Sequence, residues 1–151
     1  MNRYFIQWIV LFSFVVLGSY VALYNGLFYL IYDADFTKIS FGIFALFLYQ
    51  SMRIGYGLYK DKFTDKILSS SDYFIDVFVK LGFIGTLVGF IYSLYHAFGC
   101  LDVADASQTQ TAMLFMAKGM GCALYTTVTG LICAASLKTE LYIYETASPL
   151  K

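Results

Sequence analysis

Four runs of this chain carry no Asp, Glu, Lys or Arg, and no other feature restricts its fold as severely. They are Tyr4–Tyr32 (29 residues), Ile39–Met52 (14), Leu81–Leu101 (21) and Gly119–Leu137 (19). A membrane-spanning helix needs about 20 mostly apolar residues, so three runs qualify outright. The second reaches that length only if Arg53 snorkels and the span continues to Tyr59. The expectation is an all-α, polytopic membrane protein: one membrane domain with spans at about 4–32, 39–59, 78–100 and 113–138. Composition agrees, with 60% apolar and 13% charged residues. A soluble domain carries roughly 25% charge and uses it to coat its surface. The first run is far longer than the roughly 7–15 apolar residues of a signal h-region, so it reads as a retained, tilted anchor.

Lys and Arg set the orientation. With both termini in the cytoplasm, Arg3, Arg53, Lys60, Lys62, Lys66, Lys80, Lys138 and Lys151 fall inside, whereas only Lys38 and Lys118 fall outside. The outer connections hold Asp33, Asp35, Asp102 and Asp105 instead. Ten acidic and ten basic residues cancel, which leaves no basic footprint for nucleic acid. Three cysteines without a CxxC pattern make neither a disulfide framework nor a zinc site. The partners expected are therefore lipid and other membrane helices.

The last two spans differ in character from the first two, which are built of large residues. Taking Gly82 as zero and about 100° per residue, Gly89, Ser93, Thr86 and Gly85 fall within one stripe about 100° wide. From Gly119, the residues Thr126, Gly130, Ala123 and Cys133 do the same, with Thr127 at about 80°. Small residues on one face let two helices approach closely, and Gly85 to Gly89 has the small-xxx-small spacing. Two readings follow. The stripes are packing seams, with threonines bonded to their own backbone; or two hydroxyl-bearing faces line an ion or water path.

The strings Leu81-Gly-Phe-Ile-Gly-Thr-Leu-Val-Gly-Phe-Ile91 and Gly119-Met-Gly-Cys-Ala-Leu-Tyr-Thr-Thr-Val-Thr-Gly-Leu131 resemble the two motif helices of the MotA/TolQ/ExbB family. These are the channel subunits of ion-driven motors in bacterial inner membranes. The resemblance implies a homopentamer whose last two spans line a central pore. At its centre would stand the single spans of an ExbD/TolR/MotB-like partner pair, whose membrane aspartate carries the ion. Thr86 and Thr127 match the threonines that face the ion path, and Thr126 adds a hydroxyl where proton-driven members often have alanine. The transported ion is read as a proton before sodium, and no cofactor is implied. Three departures stand out. Cys122 replaces a frequent glutamate, only about a dozen residues join spans two and three, and four spans replace the three usual in ExbB and TolQ.

Other residues carry weaker signals. Asp72, Asp76 and Lys80 are candidates for an inner entrance, although Asp76 and Lys80 also suit an i,i+4 ion pair on a helix reaching below the membrane. His96 reads as an interfacial polar cap, and Lys118 as snorkelling outward. Cys100, Cys122 and Cys133 read as small packing residues, and Met113, Met116 and Met120 as an apolar face. The alternative to an ion-driven motor is a membrane scaffold or assembly subunit that moves no ions. An enzyme is disfavoured, because no nucleophile–base pair or metal cluster can be assembled from these spans.

Overall fold

The computed structural model describes residues 3–26, 29, 38–60, 65–99 and 106–147. These form four helices: α1 (Arg3–Tyr24), α2 (Ile39–Tyr59), α3 (Asp65–Phe98) and α4 (Ala106–Ala147). The one proline of the chain, Pro149, lies beyond α4, so no helix is interrupted at a missing backbone donor. The connections with Asp33, Asp35, Asp102 and Asp105, together with Cys100, lie outside the described residues.

Helix ends follow local chemistry. α1 stops at Tyr24, short of the Tyr32 boundary read from charge alone. There the Asn25 side chain donates to the Val21 carbonyl at 2.8 Å, and Gly26 takes φ of 70°. A left-handed glycine past the last turn ends a helix without a Cβ clash. α3 and α4 hold 34 and 42 residues. At 1.5 Å per residue they reach about 50 and 63 Å, well beyond a hydrocarbon core of about 30 Å. Both therefore project from the bilayer.

Contacts fix the directions. Phe5 meets Tyr59 and the Trp8 ring lies on Gly55, so α1 and α2 run antiparallel. Ser51 pairs with Glu140 and Gly57 packs on Tyr144, so α2 and α4 run parallel. Gly130 packs on Phe78 and Gly89 on Ala123, so α3 and α4 are antiparallel. The four helices alternate in direction, which brings the start of α1, the end of α2 and the end of α4 together. Arg3, Arg53, Lys60 and Lys138 fall toward that end, called here the basic end.

Three helices, α1, α3 and α4, are long and apolar enough to cross a membrane. The sequence reading expected four such helices. α2 has the expected bounds but falls short in apolar character, because its second half carries Gln50, Ser51 and Arg53. Those residues are not on a lipid face: Gln50 and Ser51 are fully buried. Arg53 donates through Nη1 to Gln50 Oε1 and Ser70 Oγ, each at 3.2 Å.

The core divides into two kinds of packing. Toward the basic end, Phe47, Ile54 and Leu58 of α2 interlock with Phe78 of α3 and with Leu137 and Tyr144 of α4. Further along, α3 and α4 pack on each other through small residues. α1 lies outside both, and none of its residues is buried.

Candidate functional site

The small-residue stripes of α3 and α4 face each other within one chain. Gly82, Gly85, Gly89 and Ser93 are buried on α3, and Gly119, Ala123, Thr126 and Gly130 are buried on α4. The approach is close. A Cβ at Gly89 would stand 3.2 Å from the Ala123 backbone nitrogen, and one at Gly85 would stand 2.8 Å from the Thr126 side chain. A Cβ at Gly130 would meet the Phe78 carbonyl at 2.7 Å, and one at Gly119 would overlap Ser93. Glycine is needed here for proximity, not for an unusual backbone angle. Ser93 uses its hydroxyl across the seam, donating toward Phe115 O at 3.2 Å and Met116 O at 3.3 Å.

At one edge of this seam the hydroxyls gather. Thr86 and Thr127, both half-buried, are hydrogen-bonded to each other through their Oγ1 atoms. Thr86 Oγ1 also stands 3.0 Å from Gly82 O and 3.2 Å from Ala123 O. Thr127 Oγ1 stands 3.1 Å from Ala123 O and 3.4 Å from Gly82 O. Four oxygens from two helices thus converge, and a third hydroxyl, that of Thr126, donates to one of them, Ala123 O, from the buried side. Such a cluster has lone pairs to spare and no net charge. Thr126 is fully buried and shares one of these oxygens, donating to Ala123 O at 2.9 Å. Of the three threonines expected on an ion path, Thr86 and Thr127 bond to each other, and Thr126 meets them only through the shared Ala123 carbonyl.

A second polar site escaped the sequence reading. Glu140, three residues beyond the charge-free stretch of α4, is fully buried. Its carboxyl accepts from Ser51 Oγ of α2 at 2.9 Å and from the Trp8 indole N–H of α1 at 3.3 Å. One side chain thereby ties three helices together. The signal was present in the helical phase. Glu140 falls about 60° from Gly119 on the side of Cys133, which continues the buried face past the membrane stretch.

The remaining candidates separate from this core. Asp72, Asp76 and Lys80 are exposed on the lower part of α3, where Asp76 and Lys80 form an i,i+4 pair at 3.9 Å. His96 is exposed; its Nδ1 lies 3.2 Å from Tyr92 O and its ring 4.1 Å from that of Tyr92. Lys118 is exposed, and Cys133 is buried in the core between α2 and α4. The side chain of Cys122 lies outside the described residues.

A long antiparallel pair of apolar helices, joined by glycine and carrying paired threonines, is the architecture the two motif strings implied. The model of the MotA/TolQ/ExbB proton channel family matches residues 64–143, more than half of the chain. The chain belongs to the MotA/TolQ/ExbB proton channel family. The matched stretch contains all of α3 and nearly all of α4, including the Thr86–Thr127 cluster and Glu140. α1 and α2 lie outside it. No curated protein and no solved structure matches the chain. As a family member with three helices able to span, the protein is a multi-pass membrane protein of channel type.

Proposed function

We propose that this chain is the channel-forming subunit of an ion-driven rotary motor in a bacterial inner membrane. Five copies would enclose the paired single spans of a partner whose membrane carboxylate carries the ion, and ion flow would rotate the assembly about them, converting ion-motive force into mechanical work. The observation that carries this reading is the uncharged four-oxygen cluster at the edge of the α3–α4 seam. That edge faces the axis in this proposal, flanked by Phe83 and Phe90 on α3 and by Met120, Leu124 and Leu131 on α4, all of them exposed.

The chemistry follows from what the edge contains. A charged carboxylate is costly against an apolar wall, so the partner group passes most easily once protonated. Thr86, Thr127 and the Gly82 and Ala123 carbonyls offer acceptors for that acid proton. The same oxygens could ligate a desolvated sodium ion, but with no acidic side chain among them the proton is the better-matched cargo. No cofactor enters this scheme.

The test is ion leak in liposomes, measured with the chain alone and with a single-span partner bearing a membrane aspartate. The alone state should be nearly non-conducting, because an apolar lumen with few hydroxyls dewets. Strong conduction by the chain alone, unchanged by Thr127→Val, would refute the proposal. The burial of both small-residue stripes inside one chain favours a second reading, a scaffold in which the seam only packs. In that case Thr86→Val with Thr127→Val leaves the biological activity intact.

A further inference from the structure

α1 is held very differently at its two ends. Its partly buried residues packed on the core are Tyr4, Phe5, Trp8 and Val15. Trp8 is the anchor. Its ring fills the notch over Gly55, where a Cβ would overlap the indole, and its N–H reaches Glu140 Oε2 at 3.3 Å. It is stacked on Phe5 and Phe12, with centroids 5.9 and 5.2 Å away. At the far end the packing is looser among the described residues: Ser19 and Ala22 are half-buried but line an open groove, and a Cβ at exposed Gly18 of α1 or Gly42 of α2 would meet nothing within 4 Å.

Along the distal half runs a groove of about 670 Å³, walled by Leu11, Val15 and Ser19 of α1, Phe44 of α2, and Cys133 and Ser136 of α4. Three hydroxyls in its walls are turned onto their own helices: Ser19 to Val15 O at 2.9 Å, Thr129 to Tyr125 O at 2.8 Å and Thr139 to Ala135 O at 3.0 Å. Changing the width of the groove breaks none of these bonds.

We propose that α1 is a strap, latched to the bundle at the basic end by Trp8, Gly55 and Glu140, with a distal half that swings relative to α2 and α4. Swinging exchanges apolar protein contacts for lipid tails of similar polarity, so the distal half has little to lose. Releasing the latch is another matter, since it strips a donor from a buried carboxyl and empties the indole notch. The proposal is independent of ion transport and is tested without it.

Dipolar EPR on the full-length chain in lipid nanodiscs reads the motion directly. Cys100, Cys122 and Cys133 are replaced by alanine. One label pair then goes at the open positions, Gly18→Cys with Gly42→Cys, and another at exposed basic-end positions, Gln7→Cys with Tyr56→Cys. The distal pair should give a distance distribution about twofold broader than the basic-end pair. Glu140→Leu, and independently Gly55→Ala, should broaden the basic-end pair to match, whereas Glu140→Gln keeps an acceptor for the indole and leaves it narrow. Equal widths for the two pairs in the otherwise native chain would overturn the strap, and that comparison needs no latch variant to fold. An unchanged basic-end pair in folded Glu140→Leu and Gly55→Ala chains would overturn the latch.

Discussion

Thr126 and Thr127 are adjacent in sequence and opposite in use. The first closes on its own helix inside the wall, and the second reaches across to Thr86. Valine keeps the shape of threonine and removes the hydroxyl, so Thr127→Val should reduce partner-dependent ion flux at least tenfold, about 1.4 kcal/mol or more in barrier, while leaving assembly intact. Flux in liposomes with quantified incorporation checks this. The glycines give a sharper contrast. Gly85→Ala drives a methyl into Thr126 and should cost about 1–3 kcal/mol by denaturant titration in detergent. Gly121 has nothing within 4 Å of an added Cβ, so Gly121→Ala should be neutral or stabilising by up to about 1 kcal/mol, the helix propensity difference.

Much of this was legible in the residues, because small side chains spaced at helical intervals let two helices approach closely. Glu140 was not legible, since a carboxylate just past the last apolar stretch looks like any solvated helix end. Only its phase on the buried face distinguishes it, and the phase becomes meaningful once Ser51 and Trp8 are known to lie opposite.

Among the elements, α2 is where charge-run reading ran short. Gln50, Ser51 and Arg53 lower its apolar character, yet these residues face the other helices and not lipid. Sequence alone cannot separate a polar helix outside the membrane from one whose polar face is turned inward. The same inward turn explains why the helix still packs along α4. Element by element, the packing also sets an order of local stability. Amides of α3 and α4 along the glycine seam should exchange most slowly and those of distal α1 fastest, because α1 buries no residue. Hydrogen–deuterium exchange by mass spectrometry in nanodiscs measures this, and an α1 that exchanges as slowly as the seam would contradict it.

At the scale of the whole molecule, the family and the fold leave a clear geometric requirement. The glycine stripes are consumed inside each chain, so they cannot also form the contacts between copies. In the proposed assembly, copies would meet through large exposed apolar residues such as Ile84, Val88 and Ile91 on α3. Charged substitutions there, for example Ile91→Lys, should disperse the assembly without unfolding the α3–α4 pair, which native mass spectrometry of detergent-extracted complexes would register as a shift to monomer. The measurement that bears most directly on the central claim is an electron cryo-microscopy map of the assembly in lipid. The account predicts five copies around a central axis, with the Thr86–Thr127 edge of every seam turned toward it. A map in which that edge faces lipid, or in which the chain stands as a single copy, would contradict it.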